Sequence, residues 1–209
     1  FRMESAFQNR VGISRFVGYA AKHFYMPRNS AFSWIKRITP FLELSALHDL
    51  NSGLNDSLIG PGIDLYFDKR GYFRAVHHRE KEAWAGNLFS KTNLSFYGGM
   101  QPYKWIIMSA SYRWGDRIYY HPADPFIGDG KTITIDLNLQ PSEKINVMLA
   151  YRHDRLRQKD GESSPDVYRI NIYNCQASYQ FNRHFFLRAA LRYDDYNRKI
   201  LTDFLASYT

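Results

Sequence analysis

A hairpin-like pattern that recurs about every 40 residues is the feature that most constrains the fold of this chain. Three stretches align: MQPYKWIIMSASYRW from Met100, LQPSEKINVMLAYRH from Leu139 and YQFNRHFFLRAALRY from Tyr179. Each begins with an apolar residue and Gln, makes a short polar turn, and then alternates apolar with polar residues. A repeat that holds two strands and a tight turn describes successive β-hairpins.

The alternation within each repeat indicates strands with one apolar and one polar face. From Ile145 onward, the apolar side carries Ile145, Val147, Leu149 and Tyr151, and the other side ends in Arg152 and Asp154. A soluble β-sandwich or barrel with its apolar face inward shows this pattern, and so does a membrane barrel with its apolar face outward. The alternation alone leaves both open.

Band length and aromatic placement favour the membrane barrel. The apolar bands cover about nine residues, close to the 9–11 that a tilted strand needs to cross a bilayer. Aromatic residues make up 17% of the chain, and several fall at the band edges, where lipid headgroups begin. The predicted membrane-interface aromatics are Tyr112, Trp114, Tyr151 and Tyr193 toward one edge, and Tyr179, Phe181 and Phe185 toward the other.

The connections between predicted strands alternate between short and long. Short turns are predicted at 68–71, 101–104, 140–144 and 180–184, and long polar loops at 47–61, 77–91, 114–131, 152–166 and 194–199. In a meander, every second connection emerges on the same side, so this layout predicts an all-β, antiparallel up-and-down transmembrane barrel. We expect a bacterial outer-membrane location, with long loops external and short turns periplasmic.

The extent of the barrel is a further expectation. We count about 10–11 strands, a partial barrel, with a β-bulge where the phase of one strand changes near Tyr173–Cys175. The chain starts at Phe1 rather than Met and ends in a predicted strand. We therefore expect residues 1–209 to form one outer-membrane barrel region of a longer chain, without a second domain.

The polar face predicts how such a barrel would work. Its candidate lumen-lining residues are Arg113, Asp136, Arg152, Asp154, Arg169, Arg188, Arg192 and Asp194. An excess of guanidinium groups over carboxylates favours anions, which predicts a porin-like or substrate-handling channel. The alternative is that salt bridges to Asp136, Asp154 and Asp194 only brace the wall, as in a structural or docking barrel of an outer-membrane complex, or in an anchor for a glycan-binding domain.

Charge and motifs narrow the partners. The net charge of +8 comes from scattered Lys and Arg residues, so we expect outer-membrane lipid, other outer-membrane proteins or glycans as partners, and no nucleic acid. His78, Glu80 and Glu82 share one strand face and form a weak metal candidate; the alternative is a charged strand extension above the membrane. No catalytic motif stands out, so we expect neither an enzyme nor a cofactor.

The C-terminal stretch YQFNRHFFLRAALRYDDYNRKILTDFLASYT resembles the DUF5916 family of Bacteroidetes-type outer-membrane proteins. The likeness lies in YQF before a polar turn, a strand similar to LFLRxxxxY(D/N), a Lys-containing loop and a DxLxSY strand. The segments NRVGISRFVGYAAKHFYMP and FSWIKRITPFLEL are similar to the start of that family's barrel. The resemblance implies a C-terminal barrel that follows a carbohydrate-binding-like domain, which is absent from this sequence.

Overall fold

A computed structural model describes residues 12–27, 32–50, 53–159 and 165–208, and these residues are all-β. Among them, none belongs to a helix that is long and apolar enough to cross a membrane. The strands are β1 (Ile13–Ala21), β2 (Phe24–Tyr25), β3 (Ile35–Asp49), β4 (Asn55–Phe67), β5 (Tyr72–Trp84), β6 (Asn87–Tyr103), β7 (Ile106–Tyr119), β8 (Phe126–Ser142), β9 (Ile145–Gln158), β10 (Asp166–Gln180), β11 (Phe185–Asp194) and β12 (Lys199–Tyr208).

The described strands form one antiparallel sheet in the order β1-β3-β4-β5-β6-β7-β8-β9-β10-β11-β12. The short strand β2 continues the line of β1 along β3, because β1 pairs with 41–49 and β2 with residues 37 and 38. This confirms the all-β, up-and-down antiparallel prediction. The sheet is open, with β1 and β12 at its two edges, so the predicted closure into a barrel is not present among these residues.

The repeated glutamines have one structural role in common. The backbone N–H groups of Gln101, Gln140 and Gln180 donate to carbonyl groups in or beside a neighbouring hairpin turn, those of Lys69, Trp105 and Lys144, at 2.9, 2.8 and 2.8 Å. Each hairpin is thus tied to the one before it at the turn end. Two predicted turns lie slightly too early, since β6 continues to Tyr103 and β8 to Ser142.

The predicted long loops are largely strand. Strands β5 and β6 meet in a two-residue turn at Ala85 and Gly86, which both have positive φ angles of 49° and 78°. The prediction of a loop over 77–91 is therefore wrong. Its residues are polar on both sides, yet they pair across the strands, with Glu80 opposite Lys91. Strands that are polar on both faces lose the hydrophobic alternation without losing their backbone pairing.

The predicted bulge near Tyr173–Cys175 is also wrong. Strand β10 stays in register with β9 through this stretch, and the irregularity falls between Asp166 and Tyr168. The misreading has a simple cause: Ile170 and Ile172 are apolar residues that lie on the polar face, opposite Asp154 and Arg152. Apolar residues therefore occur on both faces there, so they no longer show which residues of β10 point to which side of the sheet.

Directly opposed residues on neighbouring strands point to the same side, so the register defines two faces. We call the side of Ile135, Leu149, Cys175 and Leu191 the apolar face, and the opposite side the polar face. The polar face carries Glu43, Asp64, Arg74, His78, Glu80, Asn93, Ser95, Arg113, Arg117, Thr132, Thr134, Asp136, Asn146, Arg152, Asp154, Arg188, Arg192 and Asp194.

Burial is the reverse of what a water-soluble sheet shows. Most of the buried side chains lie on the polar face: Thr39, Phe41, Asp64, Val76, Asn93, Ser95 and Leu156. Large side chains of the apolar face are exposed, for example Trp114 at 50%, Ile135 at 46% and Leu191 at 47%. Polar-face side chains also reach across non-adjacent strands, as from Arg117 on β7 to Tyr168 on β10. Together these contacts indicate a sheet that curves toward its polar face.

Candidate functional site

Three arginines on the polar face surround a cavity of about 240 Å³, which we call the arginine pocket. Its charged residues are Arg113 and Arg117 on β7 and Arg152 on β9. The register brings them together, because Arg113 is opposite Thr132 on β8, and Thr134 is opposite Arg152. Hydroxyl groups complete the lining, from Ser111, Thr132, Thr134 and Tyr97.

The arginines of this pocket have few carboxylate partners. Arg113 donates to the Ser95 hydroxyl at 3.2 Å and to the Tyr97 hydroxyl at 3.1 Å, both uncharged. Arg117 and Arg152 share the single carboxylate of Asp154, the latter at 3.3 Å. Three guanidinium groups beside one carboxylate leave a local excess of positive charge. Guanidinium and hydroxyl donors that converge on one cavity suit a phosphate, sulfate or carboxylate group.

Arg117 is further ordered by neutral partners. It donates to Thr132 Oγ1 at 2.6 Å and to the Tyr168 hydroxyl at 3.1 Å. These bonds fix its guanidinium plane across β8, β9 and β10. Sequence reasoning missed Arg117 because it assigned residues 114–131 to a loop. The signal that could have found it is the continued spacing of Arg113, Gly115 and Arg117, which keeps Arg117 on the same face.

A second polar cluster lies on β3, β4 and β5 beside a cavity of about 430 Å³, and we call it the carboxylate cluster. Arg74 binds both oxygens of Asp64, at 2.7 and 3.0 Å, and lies 3.7 Å from Glu43. Glu43 also faces His78 at 3.5 Å. Bidentate pairing of this kind holds a guanidinium in one geometry. Arg74 is the one arginine beside two carboxylates, so the cluster braces the sheet and offers no free positive charge.

Two glycines make room for the carboxylate cluster. A Cβ atom on Gly62 would lie 2.3 Å from Cζ of Phe41, and one on Gly60 would lie 2.8 Å from Cδ2 of His78. The Phe41 ring therefore packs directly over the β4 backbone, and the Arg74 guanidinium lies 4.4 Å above that ring. Glycine is needed here for the close approach of neighbouring side chains, with ordinary extended backbone.

The weak metal candidate is an ion-paired network. His78, Glu80 and Glu82 do share one face, as predicted, but Lys91 lies between the two carboxylates, 2.9 Å from Glu80 and 2.5 Å from Glu82. Asn93 also donates to Glu80 at 3.1 Å. Within the described ranges, no group of three or more His, Cys, Asp or Glu side chains could hold a metal ion.

Tyr120, which lies just past the end of β7, contacts Glu82 of this network. Its hydroxyl donates to Glu82 at 2.8 Å, and its ring meets Trp84 edge-on with centroids 5.1 Å apart. Burial raises the pKa of Tyr120, and the hydrogen bond to Glu82 raises it further. The hydroxyl thus stays protonated and ties the 120–125 connection to the end of β5.

The other predicted lumen residues divide between the two faces. Asp136, Arg188, Arg192 and Asp194 lie on the polar face with Arg152. Arg188 pairs with Asp203 at 3.2 Å, and Asp194 accepts hydrogen bonds from Asn197. The placement of Arg169 is wrong: it is opposite Arg155 and lies on the apolar face, for the same reason that the bulge was misplaced.

The predicted interface aromatics lie in two rows on the apolar face. Tyr151, Tyr173 and Tyr193 are neighbours across β9, β10 and β11, with ring centroids 5.0 and 6.1 Å apart. Tyr112 and Trp114 continue this side on β7. Toward the turns, Phe181 contacts both Tyr179 at 4.6 Å and Phe185 at 5.0 Å. Tyr173 was not among the predicted residues, because its phase was misread.

Comparisons with known proteins assign no relative to this chain. No family model, no curated protein and no solved structure matches it. The resemblance to the DUF5916 family therefore rests on the sequence motifs alone, and the arginine pocket is interpreted from its own geometry.

Proposed function

We propose that this chain forms part of the wall of a bacterial outer-membrane β-barrel whose interior favours anions. Its apolar face would meet lipid and its polar face would line the interior. One observation carries the proposal: the polar face holds most of the buried side chains, while the apolar face is exposed. A water-soluble sheet buries its apolar face instead.

The exposed apolar surface is too continuous for contact with water. Leu137, Leu149, Cys175 and Leu191 are successive cross-strand neighbours from β8 to β11. Soluble monomers seldom expose apolar patches beyond a few hundred Å². In a sandwich a second sheet would cover this face, but every described strand belongs to the same sheet.

The aromatic rows support a membrane-spanning orientation. They flank the apolar band at both edges, as tyrosines and tryptophans do at membrane interfaces. Beyond the row of Tyr151, Tyr173 and Tyr193 the strands continue with charged residues, whereas the opposite edge ends in tight turns. We therefore assign the extended edge to the outside and the turns to the periplasm. The resemblance to the DUF5916 barrel region points the same way.

The arginine pocket supports anion preference. It presents Arg113, Arg117 and Arg152 to the interior with only Asp154 to offset them. Rings and clusters of arginine select anions in other pores, because cations are repelled and phosphate or carboxylate groups are bound bidentately. A porin-like or substrate-handling channel for small anions is the function that this geometry fits best.

Conductance in planar bilayers tests the proposal. We expect stepwise openings with anion selectivity, and we expect Arg113→Gln with Arg152→Gln to shift the reversal potential toward cation selectivity. The matched control is Arg155→Gln with Arg169→Gln, because it removes two charges from the opposite face. A well-folded, inserted protein that never conducts, or that loses selectivity equally with this control pair, would contradict the channel.

A structural or docking barrel is the second candidate, and the carboxylate cluster favours it. Glu43, Asp64, Arg74 and His78 contact one another across three strands, as in a braced wall. Such a barrel would insert without conducting and would copurify with a stable partner, or with a glycan-binding domain, in mild detergent. Copurification together with electrical silence would favour this candidate over the channel.

A further inference from the structure

The apolar face changes character beyond the row of tyrosines. Lys131 on β8, Arg155 on β9 and Arg169 on β10 are successive cross-strand partners, so their side chains lie side by side on this face. We call these three residues the basic row. Trp114 on β7 is the cross-strand neighbour of Lys131, which places the row level with an exposed indole.

Charges of the same sign directly opposite one another destabilise a sheet unless something offsets them. Asp166 is the acidic partner of the row, 2.6 Å from Arg169 and 3.9 Å from Arg155. Lys131 forms no ion pair within the described part of the chain, and its ammonium lies 5.6 Å from the Tyr112 ring centre. The row thus has three cations and one carboxylate to offset them.

The neighbouring ion pairs do not relieve this excess. Farther along the same face, Arg157 pairs with Asp129 at 3.6 Å, and Lys159 pairs with Asp116. Those carboxylates are already engaged with a cation each. In addition, the Nε atom of Arg155 is buried and has no hydrogen-bond partner among the described residues. In the described part of the sheet, the basic row therefore lacks both sufficient negative charge and a hydrogen-bond acceptor for Arg155 Nε.

We propose that the basic row binds the monoester phosphate of a lipid headgroup in the outer leaflet. The inference rests on the proposed membrane orientation, in which this row lies at the lipid–water interface. A monoester phosphate carries about −1.5 to −2 charge at pH 7 and three acceptor oxygens. This charge is close in size to the excess positive charge of the row. Adjacent strands are about 4.8 Å apart, so long side chains from three strands converge on one phosphate.

Location selects a lipid rather than a free anion as the source of this phosphate. The row lies on the face that carries the exposed apolar band. It is beside Trp114, and its β9 member Arg155 lies four residues beyond Tyr151. A lipid bound there places its acyl chains against the apolar band while its phosphate meets the cations. A free anion would gain only the second of these interactions and would be screened by salt.

Vesicles of phosphatidylcholine that contain a minor fraction of phosphatidic acid provide the test. The protein is inserted, extracted in mild detergent, and its retained lipid is identified by native mass spectrometry. We expect enrichment of phosphatidic acid, and we expect K131Q/R155Q/R169Q to reduce it by roughly tenfold or more, since each basic residue near an anionic surface contributes severalfold. The charge-retaining variant R155K/R169K should keep most of the enrichment.

The matched control removes three charges from the opposite edge of the same hairpins. K104Q/K144Q/R183Q changes exposed turn residues and should leave phosphatidic acid retention unchanged. Equal loss in both triple variants, or full retention by K131Q/R155Q/R169Q, overturns the inference. Displacement of phosphatidic acid by equimolar inorganic phosphate overturns the lipid source and favours a free anion.

The outcome also separates this inference from the proposed function. A protein that inserts into pure phosphatidylcholine but shows no preference for phosphatidic acid refutes the basic row alone. A protein that inserts into neither type of vesicle refutes the membrane orientation, and the inference falls with it. Heat-modifiable gel mobility of each variant verifies that a loss of lipid does not come from misfolding.

Discussion

Leu149 and Met148 are adjacent residues on β9 that face opposite sides of the sheet, so one substitution at each measures which side meets lipid. Leu149 lies in the middle of the apolar band, between Leu137 and Cys175. Met148 lies on the polar face between Asn138 and Gln176. Their exposed fractions are nearly equal, at 39% and 41%. Exposure alone therefore predicts no difference between them.

In a membrane barrel, arginine on the lipid side at the bilayer midplane costs about 2–4 kcal/mol. Leu149→Arg should therefore reduce the folding equilibrium constant by about thirtyfold to a thousandfold. Met148→Arg places the same group among polar side chains in a wet interior, where we expect a change within about 1 kcal/mol. The predicted difference between the two variants is thus about 1–3 kcal/mol or more.

The assay is reversible folding into short-chain phosphatidylcholine vesicles over a urea gradient. Tryptophan fluorescence reports the transition, and heat-modifiable mobility verifies the folded form. If both variants lose the same free energy, or if Met148→Arg loses more, the apolar face does not meet lipid and the reasoning behind the proposed function is wrong. A sheet whose apolar face stayed exposed to water would keep Leu149→Arg within about 0.5 kcal/mol of the parent.

Two further predictions concern packing and pH. Gly62→Ala should destabilise the protein by about 1–3 kcal/mol, because its Cβ collides with the buried ring of Phe41. Gly98→Ala is the control in the same unfolding assay, because the nearest atom to its Cβ would be 3.5 Å away, and equal effects of the two variants would contradict the packing. Burial and, second, the hydrogen bond to Glu82 raise the pKa of Tyr120, so its protonated hydroxyl contributes stability that is fully present below the unfolded pKa of about 10 and is lost as pH rises through the folded value. Tyr120→Phe should accordingly be less stable than the parent at neutral pH, and the difference should vanish in strongly alkaline unfolding titrations; a constant difference would contradict the pairing.

Where apolar and polar residues alternate regularly, the sequence predicted both the strands and the face on which each residue lies. The stretch from Ile145 to Tyr151 pairs with β8 and β10 with its apolar side chains on one face, as expected. Alternation works there because each position lies either on the apolar face or on the polar one. The same reasoning placed Arg113, Arg152 and Asp154 together on the polar face, where the structure has them.

The sequence reasoning failed where both faces have similar polarity. Residues 77–91 are polar on both sides and were taken for a loop, although Glu80 pairs directly with Lys91. Near Ile172 the local pattern is inverted, because Ile170 and Ile172 lie on the polar face, so Arg169 was assigned to the wrong side. In either case only the pairing with a neighbouring strand fixes the phase. Arg117 was lost for the same reason, since its partners Asp154 and Tyr168 are on other strands.

Both proposed binding sites depend on a single register. Strand β9 turns Arg152 toward the arginine pocket and Arg155 toward the basic row, and a slip of one residue would exchange them. Three features oppose such a slip: the two-residue turn before Ile145, the hydrogen bond from Gln180 to the carbonyl of Lys144, and the ladder of tyrosines that includes Tyr151. The turn-end contacts that repeat about every 40 residues thus decide which arginines lie on the polar face and which on the apolar face.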